Sequence, residues 1–131
     1  MSTIDHLLFV CAGNICRSPM AEALLGYVAK SRPARGTLEV GSAGTIALSG
    51  NLPSADAIDV MRREFGLEIA AHRARLLTRR LRADLILALD RETEREAQAL
   101  KLRAPVRDAG RLRGDGRGGQ GSVWTIPPSL S

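Results

Sequence analysis

Leu7-Leu8-Phe9-Val10 is a short apolar run that stops at Cys11-Ala12-Gly13-Asn14, and Ser18-Pro19 opens a helical pattern just beyond it. No other stretch limits the fold as strongly. A run that is apolar at consecutive positions reads as a strand buried on both faces. Gly13 and Asn14 tolerate left-handed backbone angles and permit a sharp reversal. Ser18 can cap a helix, Pro19 suits the first helical position, and Glu22 follows near the positive end. Ala23, Leu24, Tyr27 and Val28 then recur at helical spacing until Pro33 stops the pattern.

The pattern continues along the chain. Leu38-Glu39-Val40 reads as a second short strand, followed by Gly41-Ser42-Ala43-Gly44-Thr45 and a loop over residues 46–53. Ser54 caps a helix that runs through Phe65, with Ala57, Ile58, Met61 and Phe65 on one face and Gly66 at its end. Residues 84–89 form a third strand and residues 90–100 a charged helix, with Asp84 and Asp90 as turn or capping residues. Strands alternating with helices predict an α/β fold, a parallel sheet with right-handed crossovers. Sites in such sheets lie at the carboxyl ends of strands, where Cys11 stands. Without an internal repeat or a linker before residue 103, residues 1–131 read as one domain with a divergent stretch over 103–131. Within it, residues 111–122 are dense in Gly and Arg and read as a loop, and residues 123–126 as a last strand or docking segment.

Composition narrows the partners. Aromatic residues are 3% of the chain, so Leu, Ile, Val and Ala must build the core. The net charge is +5 with an isoelectric point near 10.2, which favours anionic partners. Lys30 and Lys101 are the only lysines; the rest of the positive charge is arginine, spread along the chain and not interleaved with aromatics. That distribution argues against nucleic acid as the partner. No apolar run approaches the ~20 residues of a membrane span, and the start lacks a signal-peptide pattern, so a cytoplasmic protein without a membrane partner is expected. Cys11 and Cys16 suit a reducing compartment. Their spacing alone is compatible with zinc, but His6 and His72 are far apart and no further soft ligand exists, so neither metal nor cofactor is expected.

The chemistry concentrates in residues 11–19. Cys11 and Arg17 are separated by five residues between a strand and a helix. A turn of this kind can aim the backbone N–H groups of Ala12, Gly13, Asn14, Ile15, Cys16, Arg17 and Ser18 into one concavity, an anion nest. The helix start adds its positive end, and Arg17 can grip oxyanions with its planar fork. The same field favours a thiolate at Cys11, to which Ser18 can donate its hydroxyl. A thiolate in a phosphate cradle is suited to covalent phosphoryl transfer from a phosphate monoester. The plainer reading is a buried, inert cysteine in a strand-to-helix turn.

The stretch Val10-Cys11-Ala12-Gly13-Asn14-Ile15-Cys16-Arg17-Ser18-Pro19-Met20-Ala21-Glu22 resembles the phosphate-loop signature of the low-molecular-weight protein tyrosine phosphatases. The similarity extends through Ser42-Ala43-Gly44-Thr45, His72 and residues 84–89, and covers roughly the first 100 residues. The resemblance implies a three-layer sandwich, a four-stranded parallel sheet of flavodoxin-like order flanked by helices. It implies phosphotyrosine in proteins as the substrate, Cys11 as nucleophile and Arg17 as clamp on the transition state, with no metal. It makes Asn14, Ser42 and His72 supports of the loop, and Ser18 the group that steadies the sulfur as it leaves. On position alone, His72 reads as a partly buried histidine satisfied by backbone. For Cys16 the resemblance implies a reversible disulfide that protects Cys11; filling space is the other reading. In the related arginine phosphatases the place of Ile15 is typically Thr, so Ile15 resembles the tyrosine-directed members.

The pattern breaks late. The family supplies a proton to the leaving oxygen from an aspartate followed by proline, and no Asp-Pro occurs here. The most similar place is Ile126-Pro127-Pro128, and no residues match the family's final helix. Asp115 and Asp108 are the remaining late acids, each with solvated surface charge as its plainer reading. Three functions follow: a tyrosine phosphatase whose acid is displaced to Asp115 or absent, a phosphate-binding pseudo-phosphatase or interaction protein, and an arsenate reductase. For the last, no cysteine after Cys16 exists to relay a disulfide, so an external thiol would be needed.

Overall fold

The apolar run of the first strand is covered from both sides. In a computed structural model that describes residues 4–31 and 38–112, β1 (His6–Cys11) is the inner strand from which the sheet grows in both directions. α1 (Arg17–Ser31) leads to β2 (Glu39–Gly44), α2 (Ala55–Phe65) follows, and β3 (Leu85–Ala88), α3 (Arg91–Ala99) and β4 (Val106–Asp108) complete the order, with a 3-10 turn at Ala109–Leu112. The strands lie β2-β1-β3-β4 and all pair in parallel, the order expected. Leu7 and Phe9 face Ala21 and Leu25 of α1. Leu8 and Val10 face the other way, into a cluster with Ala43, Ile86, Val106 and Ala97 of α3. Two covered faces explain why β1 tolerates no polar residue between Leu7 and Val10. Because neighbours lie on either side of β1 and their connections leave on opposite faces, the carboxyl end of β1 is a crevice.

Three local expectations change. β2 does not stop at Val40 but continues through Gly41-Ser42-Ala43-Gly44, with Cys11 opposite Gly44. Small residues are poor strand formers on their own; pairing along the whole of β1 overrides that preference. α1 begins at Arg17, where Cys16 O accepts from Met20 N at 3.2 Å, so Ser18 sits inside the first turn and is not its cap. Pro19 still falls in that turn, where a missing N–H breaks no helical bond. Of the spaced residues on α1, Ala23 and Leu24 pack beside Met20, whereas Tyr27 and Val28 are exposed. α2 follows the sequence closely: Ser54 accepts from Ala57 N, and Gly66 ends the helix at φ 65°. Ala57 and Met61 are its buried side, joined to Met20 and Ile69, and Phe65 is exposed. Among the described residues no helix is long and apolar enough to cross a membrane.

Candidate active site

The strand-to-helix turn wraps around the sulfur of Cys11. Cys11 is buried, and its Sγ lies 2.8 Å from Ser18 Oγ and accepts from Asn14 N at 3.3 Å. Asn14 makes the turn possible with a left-handed φ of 59°, a conformation that asparagine adopts more readily than most residues. Its carbonyl-side contacts hold it there: His72 Nε2 donates to Asn14 O at 2.9 Å. A carbonyl only accepts, so His72 carries its proton on Nε2. Thr45 N and Ile46 N donate to Cys11 O and Ala12 O, and Ser54 N donates to Ile15 O. The segment after β2 is thereby fastened to both ends of the loop.

The directions of the buried hydrogen bonds follow from the donors available. Asn14 Oδ1 accepts from Arg75 N at 2.9 Å, which fixes the amide orientation. Asn14 Nδ2 then donates one hydrogen to Ser18 Oγ (2.8 Å) and the other to Ser42 Oγ (2.9 Å). Ser42 passes its own hydrogen to Glu22 Oε1 at 2.6 Å. Ser18, already accepting from Asn14, has its hydrogen left to point at Cys11 Sγ. Asn14, Ser18 and Ser42 are almost wholly enclosed, and among the described residues no buried side-chain N or O lacks a partner. A satisfied polar network of this kind holds one geometry. Arg75 Nε also donates to Ser42 O, and Glu22 Oε1 lies 3.9 Å from His72 Nδ1.

Arg17 is held from the neighbouring strand. Asp90, just past the carboxyl end of β3, accepts from Arg17 Nη2 at 2.9 Å and also caps α3 by accepting from Thr93 N at 2.7 Å. Burial by itself pushes the Asp90 carboxyl up; the hydrogen bonds from Thr93 and Arg17 outweigh it and keep the group below the usual carboxylate range. The pairing leaves the other N–H groups of the Arg17 fork available to an oxyanion. Gly44 is required where β2 runs beneath the loop: a Cβ there would lie 2.4 Å from Ala12 O and 3.0 Å from Asn14 N.

The predicted residues thus fall into one place, with exceptions. Cys11, Asn14, Ser18, Ser42 and His72 form one contact network, and Arg17 flanks it. Cys16 packs partly buried beside Met20 and Met61; burial pushes its thiol up, and a hydrogen bond with Ser54 offsets this only in part. No disulfide joins Cys11 and Cys16 in this structure. Asp84 accepts from Asp5 N and His6 N, the turn role expected of it. Asp108 is corrected: it is not solvated but buried at the end of β4, accepting from Gly110 N at 2.8 Å. Asp115 and residues 113–131 lie outside the described residues. Glu22, Arg75 and the Asp90–Arg17 pair are additions. Glu22 was within reach of the sequence, four residues after Ser18 and so on the same helix face. Among the described residues no group of three or more His, Cys, Asp or Glu is placed to hold a metal.

Comparison with known proteins places this geometry in company. A family model described as low molecular weight phosphotyrosine protein phosphatase matches residues 6–112. A probable low molecular weight protein-tyrosine-phosphatase of Ralstonia solanacearum, EpsP, is 48% identical over 98 residues, 73% of this chain. The chain spans 63% of that relative's length. Among solved structures, the low molecular weight protein tyrosine phosphatase of T. tengcongensis superposes with a TM-score of 0.76 at 34% identity, covering 83% of this chain and 76% of that one. The YwlE arginine phosphatase, crystallised as a cysteine-to-serine mutant with a phosphorylated active-site serine, gives 0.73 at 28% identity, covering 83% and 72%.

Proposed function

The chain belongs to the low molecular weight phosphotyrosine protein phosphatase family, and on that premise we propose that it hydrolyses phosphotyrosine in proteins, and simpler aryl phosphates, through a phosphocysteine. Cys11 Sγ attacks phosphorus; the S–P bond forms as the P–O bond to the aryl group breaks, and the aryl oxygen takes up a proton. Water then attacks phosphorus, the S–P bond breaks, and inorganic phosphate leaves. The observation that carries the reading is the donor pair on the sulfur, Ser18 Oγ at 2.8 Å and Asn14 N at 3.3 Å, with Ser18 oriented by Asn14. Those donors favour sulfur as an anion, which it must be both as nucleophile and as leaving group. The backbone N–H groups of residues 12–18 and the free donors of Arg17 hold the phosphoryl oxygens, an electrostatic contribution that grows as charge spreads in the transition state. Asn14, Ser42 and His72 act by holding the loop.

The mouth of the site supports an aryl group over a guanidinium. Ile46, Leu48 and Leu52 are exposed on the segment fastened to the loop, and Ile15 lies in the loop itself. Aliphatic side chains beside the loop suit a ring. The leaving aryl oxygen has an ordinary pKa near 10, and a positioned acid typically contributes about 10²–10⁴-fold; Asp115 is the candidate for that role. Hydrolysis of an aryl phosphate and of phosphotyrosine by wild type, Cys11→Ser and Asp115→Asn tests all of this. We expect no turnover with Cys11→Ser. Wild type that hydrolyses activated aryl phosphates but scarcely touches phosphotyrosine points to a missing acid. Unchanged ratios in Asp115→Asn remove Asp115 from the role. Binding of phosphate with no turnover of either substrate means a phosphate-binding protein instead.

A further inference from the structure

A second concave site lies on the α3 face of the sheet. It is a trough of about 620 Å³ between residues 77–83 and residues 101–104, within the size range of specific binding pockets. Its floor includes Leu77, Leu81 and Leu102. Arg79, Arg80 and Arg82 line one wall, and Lys101 and Arg103 the other; no Asp or Glu lines it. On β1 the trough reaches Leu8, three residues before Cys11, which sets it roughly 10 Å back along the strand from the sulfur at about 3.3 Å per residue.

Among the described residues, the five cations share with Arg73, Arg75, Arg91, Arg95 and Arg107 the lack of a carboxylate partner, and they line one concavity. Arg17, Arg62 and Arg63 pair with Asp90, Glu68 and Asp59. Among the described residues, no carboxylate pairs with Arg79, Arg80, Arg82, Lys101 or Arg103. Arg79 reaches across to the Leu100 carbonyl at 3.3 Å and ties the walls together. Lys101 adds a second, independent observation. It follows the C-cap Leu100 of α3 with φ 54°, the left-handed place where helices commonly end on glycine. An L side chain is strained there, so the backbone is held in an unfavourable conformation at a position that carries one of the chain's two lysines.

We propose that this trough docks an acidic segment of the substrate protein, with carboxylates or phosphates on the cationic walls and one aliphatic side chain on the leucine floor. Guanidinium forks grip carboxylates and phosphates alike, often with two parallel bonds. The leucine floor discriminates among anions: it has no aromatic platform for nucleic-acid bases to stack on, and it suits a Leu or Ile side chain. Only the naming of the partner as substrate rests on the phosphatase reading; the binding itself does not.

The test therefore has a binding arm and a turnover arm. A short Asp/Glu-rich peptide with one central leucine and no phosphate is titrated into 15N-labelled Cys11→Ser protein. Amide shifts are expected at residues 77–83 and 101–104 and not at 11–18. Arg80→Glu with Arg103→Glu should weaken binding about tenfold or more, as loss of complementary charge does. Lys101→Gly should weaken it severalfold while raising Tm by about 2–5 °C through relief of the backbone, a split that a merely structural lysine would not produce. In the turnover arm, the Arg80→Glu, Arg103→Glu protein should keep wild-type kcat/KM on a small aryl phosphate and lose about tenfold on a phosphotyrosine peptide extended by the acidic run. Shifts at 11–18, absence of saturable binding, equal binding by the charge-reversed protein, or tighter binding of a single-stranded oligonucleotide at the same residues each overturn the proposal. If no aryl phosphate is hydrolysed, the phosphatase reading fails and the binding arm alone decides the trough.

Discussion

Asp90 performs two tasks that substitution can separate. Its Oδ1 caps α3 and its Oδ2 holds Arg17. Asp90→Asn keeps an oxygen for Thr93 N and removes the charge; Asp90→Ala removes both. The ion pair is a single 2.9 Å contact between side chains that are 31% and 40% exposed, so solvent screening limits its contribution to stability to about 0.5 kcal/mol. The cap is worth about 1 kcal/mol more. Asp90→Asn should therefore lower Tm by only a degree or two, and Asp90→Ala by several degrees. Activity should not follow stability. Freed from Asp90, the Arg17 side chain must be ordered each time an oxyanion binds, at about 0.5–1.5 kcal/mol, which is about two- to twelvefold in kcat/KM. Both variants should show that same loss. Steady-state hydrolysis of an aryl phosphate beside thermal melts reads the two effects. A wild-type kcat/KM in Asp90→Asn, or a much larger loss in Asp90→Ala than in Asp90→Asn, would falsify the claim that Asp90 acts by orienting Arg17. The pH dependence has a definite sign. Asp90 is held below its unfolded value, so its contribution to stability is whole above about pH 4 and drains away as pH falls through the lower folded value. The Tm gap between wild type and Asp90→Asn should close over that acid range and stay constant towards neutrality.

Other substitutions probe the rest of the site. Gly44→Ala places a methyl against Ala12 O and Asn14 N; we expect a cost of about 1–3 kcal/mol and a larger fall in kcat than a control substitution of equal ΔΔG away from the loop, with equal falls counting against the geometry. Ser18→Ala removes the donor to sulfur and strands one Asn14 N–H, so dephosphorylation should slow and 31P NMR or mass spectrometry should detect accumulated phosphocysteine; normal turnover with no accumulation contradicts the assignment. Burial pushes the Cys16 thiol up, so iodoacetamide near pH 7 should label Cys11 well before Cys16, and labelling of Cys16 should rise only as the solution is made more alkaline. Equal labelling at neutral pH would show that Cys16 is less enclosed than described.

Much of the site could be read because it is local. A strand, a Gly-Asn turn and a Ser-Pro helix start lie within one short stretch, and each step depends on neighbours in sequence. The same holds for Ser54 and Gly66 at the ends of α2. What escaped depends on partners brought together from afar. Gly41-Ser42-Ala43-Gly44 carries little strand signal of its own until β1 pairs with its full length, after which Ser42 sits opposite Phe9 and its hydroxyl meets Asn14. Asp90 reads as a cap, which it is, but its second partner lies 73 residues away. Asp108 looks like a surface charge because nothing around it announces burial; the short fourth strand and the 3-10 turn after it enclose it. Asp84, by contrast, read as a turn acid and serves two backbone amides at the start of β1.

Glu22 makes no direct hydrogen bond to the sulfur, yet it closes the relay that begins there by taking the hydrogen of Ser42. Because Arg75 N already fixes Asn14 as the giver to Ser42 and Ser18, Ser42 has its one hydrogen free for the carboxylate and Ser18 has a single hydrogen left for the sulfur. Glu22→Gln would occupy nearly the same volume and could both give and take. With Asn14 still held by the Arg75 backbone N–H, only the far end of the relay, at Ser42, would change partners, and the hydroxyl offered to the sulfur would keep its direction.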